Sequence, residues 1–566
     1  MPARLRRSSR RDPLAPLGVQ PAGIPLRPVR ARRSPRLTRE RSIQWSSVAV
    51  AAGCAAVALY VLQLMWAGTR VDVDLEGVTG GEVLTSAALE ERTLRFAIDP
   101  GDRAHRAVLE LNGDPVPPKA VDFEGTTMVW RPGVLPEGEH KLTVEVPRPA
   151  LWPSAHDWKV TVDDTPPRLD VPPPAAPVGL CAPLTLTGRV ERGAALTVNG
   201  APTEHDGTFR LRYHRPPAAP VHVEATDAAG NRSSVEVMVP VAYPGGQGVH
   251  VTAAAWGYEP LRRGILSLID AKLVSAVQLD LKDEGGIVGY DSNVALARQI
   301  GAVRPEYRLR EAVADLRSRG VRVIGRIVAF RDPQLAAWAW ANDRRDWVVH
   351  SKEGGLYGGY GGFANPVHPD VHRYNLDIAL EAADAGVDDI MWDYIRRPEG
   401  DPEEMVIPGL QGASADGVVR FLATSGAALR ERCVYQGAAV FGIAASRPDA
   451  IGQDIPRMAR HVNYLSPMVY PSHWVPGEYR VANPNRQPYD IVKASLADFQ
   501  AEVAGTGAVL MPWLQDFTLG HPYGPAEVRA QIDAAVALGI PDWLLWNAGA
   551  TYTPAALHPS LVRLRE

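Results

Sequence analysis

The feature that most constrains the fold is a regular alternation of apolar and helical segments in the C-terminal part of the chain. After YPGGQG at 243–248, short apolar runs typical of buried strands are each followed by an amphipathic helical run. Eight such units at 245–566 predict a (β/α)8 TIM barrel. An open doubly wound sheet is disfavoured, because no Gly-rich nucleotide-binding turn follows the first strand. The predicted strands are GVHVTAAAW, SAVQLDLKD, VRVIGRIVAF, VDDIMWDYI, AVFGIAAS, VNYLSPMVYP, GAVLMPWLQDF and DWLLWNAG.

The preceding part of the chain, from about 70 to 240, has a different pattern. Polar and apolar residues alternate with period two in short segments that end at Gly, Pro, Asp or Asn turns, which predicts an all-β structure. DDTPP at 163–167 reads as a linker between two such units. We therefore predict two β-sandwiches, at 70–165 and 166–242, that resemble bacterial immunoglobulin-like modules and act as spacers. The segments are HKLTVEV, DWKVTVDD, PLTLTGRV, AALTVNG and VHVEATD.

The N-terminus combines a basic segment with an apolar one. The first 41 residues contain twelve Arg against two acidic residues and have no apolar period, which predicts a disordered cytoplasmic arm at 1–42. The apolar run at 48–65 lies between Trp45 and Trp66 and predicts a transmembrane anchor at 43–68. The rest of the chain would then lie outside the cytoplasm, bound to the cell membrane by a single span. A cleaved signal peptide is the alternative.

The cysteines and the net charge restrict the possible partners. Cys181 and Cys433 fall in different predicted domains, and Cys54 lies in the predicted anchor, so we expect no structural disulfide. Neither the number nor the spacing of the cysteines fits a zinc site, and the histidines are scattered. We expect no metal and no cofactor. The net charge is −4, with the positive charge concentrated in the N-terminal arm, and we expect no nucleic-acid partner.

Polar side chains collect at the predicted C-terminal ends of the barrel strands, where TIM-barrel active sites lie. Strand parity puts Asp280 and Lys282 on the inner face of the second strand and Asp393 on that of the fourth. Asp393 should therefore point into the barrel mouth, where Arg326, Lys282 or Arg396 keeps it ionised. Other side chains at these ends are Asp283, Glu284, Tyr470, His473, Trp474, Trp513, Gln515, Asp516, Trp546 and Asn547.

This combination of residue types points toward sugar chemistry. Aromatic faces stack on pyranose rings, and a pair of carboxylates supplies an acid together with a base or nucleophile. The chain contains no nucleophile elbow and no phosphate-binding loop. The fifth strand ends in FGIAAS without the Glu that many sugar hydrolases carry there.

Several of these segments, in the same order, resemble a bacterial family of glycoside-hydrolase-like proteins of largely uncharacterised function. The segments are LDLKDEGG, ANPVHPDVHRY, MWDYIRRP, YLSPMVYPSHW, NPNRQPYDIV and PWLQDF, and the resemblance covers about 248–555. It implies a TIM-barrel catalytic domain with a catalytic aspartate in a D-Y-x-R-x-P motif, here Asp393. By the same resemblance, the matching site residues are Asp280, Lys282, Asp283, Tyr394, Arg396, Pro398, Tyr470, His473, Gln515 and Asp516.

We therefore predict a membrane-anchored glycoside hydrolase that cleaves an envelope or extracellular polysaccharide. Asp393 is the predicted nucleophile or general base, and Asp283, Asp516 or Asp280 is the predicted proton donor. The predicted substrate-binding residues are Lys282, Arg326, Tyr394, Arg396, Tyr470, His473, Gln515, Trp546 and Asn547. The alternative is a noncatalytic glycan-binding or envelope scaffold protein built on an inherited barrel.

Overall fold

The computed structural model describes residues 45–67, 69–148 and 151–558. The predicted arm at 1–42 lies outside these ranges. Helix α1 (Trp45–Ala67) occupies the position of the predicted anchor. Within the described ranges, however, no helix is both long enough and apolar enough to cross a membrane. The predicted transmembrane anchor at 43–68 is therefore not supported.

The first β region folds into two sheets around one core. One sheet has the order β1-β3-β7-β6 and the other β2-β9-β8-β4-β5, and helix α2 (Ser86–Glu90) follows β2. Phe96 of the first sheet and Val144 of the second are both fully buried in the shared core. The strands are β1 (Asp72–Glu76), β2 (Glu82–Leu84), β3 (Leu94–Asp99), β4 (Val108–Leu111), β5 (Asp114–Pro115), β6 (Val121–Glu124), β7 (Thr127–Trp130), β8 (Gly138–Arg148) and β9 (Leu151–Val162).

The second β region also has two sheets, in the orders β10-β11-β14 and β13-β12-β15-β16. Alternating burial along β11 and β15 follows the period-two pattern of the sequence and directs Leu186 and Val223 into one core. The immunoglobulin-like character of the two β regions stays a prediction. The strands are β10 (Leu169–Asp170), β11 (Leu184–Val190), β12 (Ala195–Val198), β13 (Ala201–Thr203), β14 (Thr208–Tyr213), β15 (Val221–Thr226) and β16 (Arg232–Val237).

The C-terminal region contains a closed parallel barrel, as predicted. The barrel closes because β17 pairs in parallel with both β18 and β29. Its eight strands are β17, β18, β21, β23, β25, β26, the interrupted β27/β28 and β29. The strands of this region are β17 (Gln247–Val251), β18 (Ala276–Lys282), β19 (Val288–Tyr290), β20 (Val303–Tyr307), β21 (Arg322–Val328), β22 (His350–Ser351), β23 (Asp389–Asp393), β24 (Met405–Val406), β25 (Tyr435–Phe441), β26 (Tyr464–Met468), β27 (Val509–Leu510), β28 (Trp513–Gln515) and β29 (Trp543–Trp546).

Helices cover the outside of the barrel at the predicted positions. Helix α8 shows why they form where they do: Pro369 begins it, and Gly386, in the left-handed conformation at φ 97°, ends it. The helices are α3 (Ala253–Gly257), α4 (Glu259–Asp270), α5 (Ala295–Gln299), α6 (Leu309–Ser318), α7 (Pro333–Ala341), α8 (Pro369–Ala385), α9 (Ala415–Arg430), α10 (Ile455–Ala459), α11 (Pro488–Val503), α12 (Pro525–Ala537) and α13 (Pro554–Leu557).

A break in strand parity near the end of β18 shapes the barrel mouth. Asp280 pairs with Arg326 of β21, but Lys282 pairs with the next residue, Ile327, so that one residue of β18 is unmatched. Such a β-bulge turns the following side chain to the other face of the sheet. Lys282 is therefore on the helix side of the barrel, together with Ile327.

The second β region packs against the N-terminal strand ends of the barrel. Cys181 and Cys433 form a disulfide with a Cα–Cα distance of 5.6 Å, so the expectation that they stay apart was wrong. Residues far apart in sequence meet because the region docks beside β25: Arg430 Nη1 donates to the Pro217 carbonyl oxygen at 2.9 Å, and the Tyr435 hydroxyl donates to the Ala242 carbonyl oxygen at 3.1 Å. Domain docking of this kind leaves no mark on local sequence periodicity.

We predict that denatured, unreduced protein reacts with iodoacetamide at Cys54 only, because the other two cysteines are joined. Reduction before alkylation should raise the number of adducts from one to three, read by intact mass. Cys433→Ser should give two adducts without reductant. Three adducts on the unreduced wild-type protein, produced in an oxidising compartment, would contradict the disulfide.

Candidate active site

A cleft of about 790 Å³ opens at the C-terminal ends of the barrel strands. Its floor holds the ends of β21, β23 and β28, and loops after the strands form its walls. The predicted site residues that line it are Arg326, Asp393, Tyr394, Arg396, Tyr470, His473 and Trp546. Further residues that line it are Glu284, Tyr360, Glu399, Trp474, Trp513 and Phe517.

Arg326 connects three carboxylates at the base of this cleft. It is 1% exposed, and its Nη1 donates to Asp280 Oδ1 at 2.8 Å. Its Nε and Nη2 donate to Asp393 Oδ2 at 3.0 and 2.6 Å, and Nη2 also contacts Glu284 Oε1. Burial opposes the guanidinium charge, but the three carboxylates outweigh it and hold the pKa of Arg326 well above its usual value.

Asp280 lies behind Arg326 and does not line the cleft. Burial opposes its ionisation, yet the charges of Arg326 and His250 outweigh it and bring the pKa of Asp280 to about 2. His250 Nε2 lies 2.9 Å from the same Oδ1 atom, and the imidazole stacks on Trp546 at 6.0 Å. Asp280 is therefore an anion that holds Arg326 in place from below.

Asp393 is the last residue of β23 and is oriented by both of its oxygens. Oδ2 accepts from Arg326, while Oδ1 accepts from the backbone N–H of Tyr394 at 2.7 Å. Tyr394 has φ 49°, a left-handed conformation that costs free energy in a residue other than Gly. The chain turns sharply at this point, which leaves the Asp393 carboxylate at the cleft floor.

Glu284 is the second carboxylate at this point, and the sequence analysis did not assign it a role. Its side chain is 34% exposed, more than that of Asp393. Burial opposes its ionisation, but the Arg326 charge outweighs that cost and lowers the pKa of Glu284. Its position in the loop LDLKDEGG, next to Asp283, was the available signal.

Lys282 is not at the cleft, which corrects the prediction that it holds Asp393 ionised. Because of the bulge, its Nζ lies 2.8 Å from Asp332 Oδ2 and 2.7 Å from Asn375 Oδ1, in the helix layer. Asp332 also caps α7 by accepting from the Leu335 N–H at 2.9 Å. The fully buried Lys282–Asp332 pair thus connects β18 to α7 and α8.

The structure does not bring Asp283 or Asp516 to the cleft with Asp393. Asp283 Oδ1 accepts from the N–H groups of Gly285 and Ile287, both at 2.9 Å, and shapes the loop after β18. Asp516 accepts from the N–H and hydroxyl of Thr553 at 2.8 and 2.7 Å. Burial raises the pKa of both carboxyls, against the effect of these hydrogen bonds.

Gln515 and Asn547 also support loops and do not line the cleft. Gln515 accepts from the Ser472 N–H at 3.0 Å and donates to the Phe517 carbonyl oxygen at 2.9 Å. Asn547 accepts from the Gly549 N–H at 2.7 Å. Gln515 thereby positions Phe517, which does line the cleft.

Aromatic rings form one wall of the cleft. Tyr470 lies 5.8 Å from Trp546 and 5.3 Å from His473, between ring centroids, and Phe517 lies 5.3 Å from Trp546. Burial and the nearby Asp393 charge hold the pKa of Tyr470 well above its usual value, so its hydroxyl stays protonated. That buried hydroxyl has no hydrogen-bond partner among the described residues.

The charged groups at the base of the cleft are carboxylates arranged around one arginine. In the described part of the chain, no group of three or more His, Cys, Asp or Glu side chains is placed to hold a metal ion. The site can therefore present two carboxylates, Asp393 and Glu284, to a ligand that binds in the aromatic-walled cleft.

We predict that Arg326→Met lowers the free energy of unfolding by about 3–5 kcal/mol at pH 7, because buried carboxylates lose their counter-ion. The loss should be smaller at pH 3. Asp280 has a pKa of about 2 in the fold and 3.8 as its ordinary value, so the stability it contributes is present above 3.8 and lost as the pH falls toward 2.

Chemical denaturation at the two pH values, followed by tryptophan fluorescence, measures this difference. Arg331→Met is the matched control, since in the described structure the Arg331 guanidinium contacts aromatic rings and a hydroxyl but no carboxylate. An Arg326→Met loss that does not change with pH would argue against the ion-pair cluster.

Comparison with known proteins identifies the family of the C-terminal region. Residues 248–552 match the family described as "Putative glycosyl hydrolase domain", which confirms the resemblance found in the motifs. No curated protein matches the chain.

Several solved structures are similar to parts of the chain. A hypothetical protein from Ruminiclostridium thermocellum is 28% identical, covering 34% of this chain and 96% of that one, with a TM-score of 0.30. The PgaB (BpsB) glycoside hydrolase domain from Bordetella bronchiseptica is 19% identical, covering 56% and 96%, at 0.40. The spore cortex-lytic enzyme SleL from Bacillus cereus is 10% identical, covering 57% and 75%, at 0.35. Because the family match spans more than half of its 566 residues, the chain belongs to this glycosyl hydrolase family.

Proposed function

We propose that the barrel hydrolyses glycosidic bonds of an envelope or extracellular polysaccharide, with Asp393 and Glu284 as its two carboxylates. The observation that carries the proposal is their contact with one nitrogen of Arg326 at the floor of an open, aromatic-walled cleft. Family membership supports the reaction class.

The spacing of the two carboxylates supports a retaining mechanism. Since Asp393 Oδ2 and Glu284 Oε1 contact the same Nη2 atom, these oxygens lie no more than about 5 Å apart, the separation typical of retaining enzymes. Inverting enzymes need roughly 6.5–9.5 Å to admit a water molecule.

The two carboxylates differ in exposure, which supports different roles. Asp393 is held by Arg326 and the Tyr394 N–H as an oriented anion, suited to attack the anomeric carbon or to stabilise an oxocarbenium-like transition state. Glu284 is more exposed and reaches the cleft from a loop, suited to protonate the leaving oxygen. Glu284 can carry a proton only when Arg326 no longer lowers its pKa. Contact between the substrate and the guanidinium would produce this change.

The cleft also offers contacts for a pyranose ring. Trp546 and Trp474 line the cleft, and the aromatic faces of such side chains stack on sugars. The Tyr470 hydroxyl and Trp513 Nε1 have no partners among the described residues and can donate to sugar oxygens.

Glycan binding without hydrolysis is the second candidate. It is favoured by the low exposure of Asp393, 1%, and by the engagement of both its oxygens. Under this alternative, Asp393 is a structural partner of Arg326.

The proposed location is outside the cytoplasm. The Cys181–Cys433 disulfide supports it, because structural disulfides persist in oxidising compartments. The Arg-rich segment before the apolar run at 48–65 is typical of export with the N-terminus left in the cytoplasm, and attachment to the cell membrane through that run is part of this proposal. Free Cys181 and Cys433 in protein isolated from its own cells would contradict it.

We predict that Asp393→Asn and Glu284→Gln each lower kcat/KM by about 10²–10⁴-fold, because each removes one partner of the carboxylate pair. The substrate is the purified envelope glycan that the wild-type protein degrades best. Asp283→Asn and Asp516→Asn are matched controls and should keep wild-type activity, since neither carboxylate lines the cleft.

Added azide separates the roles of the pair. It should restore turnover of Asp393→Ala as a glycosyl azide if Asp393 is the nucleophile. Undiminished turnover by Asp393→Asn would exclude its role, while glycan binding by the wild-type protein without any turnover would favour the second candidate.

We predict that kcat/KM falls about tenfold per pH unit above the lowered pKa of Glu284, because kcat/KM reports the free enzyme and only protonated Glu284 can donate. The corresponding decrease in kcat should begin at a higher pH, because bound substrate displaces Glu284 from Arg326. A pH profile of initial rates between pH 3 and 8 measures both. A kcat/KM that stays level up to pH 7 would exclude Glu284 as the proton donor.

A further inference from the structure

The wall of the cleft opposite the Tyr470 cluster has more arginine than carboxylate. Arg396 follows β23, borders the cleft and is only 1% exposed. Its Nη2 lies 3.1 Å from Glu399 Oε1, its Nη1 donates to the Arg397 carbonyl oxygen at 3.0 Å, and its buried Nε has no partner among the described residues. A buried guanidinium with an unused donor is costly unless a ligand supplies an acceptor.

Two further guanidinium groups, of Arg331 and Arg397, lie behind this wall and do not line the cleft. Arg331 lies over the rings of Tyr360 and Tyr394 at 4.9 and 5.2 Å and donates to the Tyr394 hydroxyl. Arg397 donates to backbone carbonyl oxygens, including those of Pro398 and Gly400. In the described structure neither makes an ion pair with a carboxylate, although the charge of Asp401 acts on Arg397, and Glu399 is the ion-pair partner of Arg396.

Glu399 is placed as a carboxylate ligand would be. One oxygen contacts Arg396 and the other accepts from the Tyr360 hydroxyl, while the side chain is 42% exposed. Tyr360 belongs to the segment GGLYGGYGG at 354–362, in which six of nine residues are Gly. The partly exposed Glu399 side chain can turn away from Arg396, whereas the Tyr360 ring stays packed against Arg331 and Arg396.

We propose that Arg396 and Tyr360 bind a carboxylate carried by the sugar polymer, and that Glu399 occupies this position until substrate displaces it. The inference rests on the proposed function and names its substrate class: a glycan with uronic acid or similarly carboxylated residues. An amino sugar would meet the positive charge of Arg396, whereas a carboxylate gains a charge-assisted hydrogen bond from it. The contacts of Glu399, one arginine and one tyrosine hydroxyl, fit a monoanion.

Binding of matched polymers to the full chain tests this subsite. The probes are polygalacturonate, alginate and hyaluronan, each compared with its carboxyl-reduced, uncharged form, and the measured quantity is the ratio of the two Kd values. The wild-type protein should bind at least one acidic polymer about tenfold or more tightly than its reduced form, the usual effect of one charge-assisted hydrogen bond.

Two variants should move this ratio in opposite directions. Arg396→Met should bring it close to one, and Glu399→Ala should raise it severalfold, because the internal carboxylate no longer competes. Glu403→Ala is the matched control: it removes the same charge from an exposed position in the same loop and should leave the ratio near that of the wild-type protein.

The outcomes separate this inference from the proposed function. Equal binding of acidic and reduced forms of all three polymers would overturn the inference, as would an equal gain in Glu399→Ala and Glu403→Ala, which would indicate a long-range charge effect. Acidic polymers bound with the expected ratio but never cleaved would overturn hydrolysis and leave the subsite standing. Cleavage of reduced and acidic forms at equal rates would overturn the subsite and leave the proposed hydrolysis standing.

Discussion

The ion pairing of Arg326 is the interaction on which the site depends. A single guanidinium inside the barrel holds Asp280 from below, Asp393 from the neighbouring strand and Glu284 from a loop. Isolated buried charges are too costly to survive in a barrel interior, so each carboxylate at the floor depends on this one cation. The same contacts fix the separation of Asp393 and Glu284, which makes the counter-ion also the spacer of the proposed catalytic pair.

The cleft divides its chemistry between two sides. The floor carries three carboxylates against Arg326, and the loop after β23 carries Arg396 and Arg397, with Glu399 paired to Arg396. Tyr394 joins the two, because its N–H orients Asp393 while its ring lies 4.8 Å from the Arg396 guanidinium. A sugar chain lying along the cleft would therefore meet charges of opposite sign in neighbouring positions, which gives it a preferred direction of entry.

Much of the fold and part of the site could be predicted from local sequence patterns. The alternation of strand and helix periodicity after residue 243 predicts the barrel. Strand parity along β21 and β23 also predicts that Arg326 and Asp393 face the barrel interior together. Strand parity gave the wrong face for the end of β18, because a bulge shifts the register by one residue and no residue pattern in the sequence indicates it. The bulge places Lys282 in the helix layer.

Nonlocal packing explains the other differences. Asp283 and Asp516 stand at strand ends as predicted, but backbone N–H groups of their own loops and of Thr553 turn them away from the cleft. The cysteine pair depends on how the second β region docks under the barrel, which no period along the chain encodes. Residues whose partners lie within a strand or its neighbour are predictable from the sequence, and residues whose partners lie across a domain contact are not.

The disulfide also changes the topology of the molecule. It closes a covalent ring spanning 252 residues that runs from the second β region through the first half of the barrel. A protease that cuts one exposed loop inside this ring, such as the Gly-rich segment beside the cleft, releases no fragment. Such a nicked molecule would keep its parts joined and both cleft walls attached.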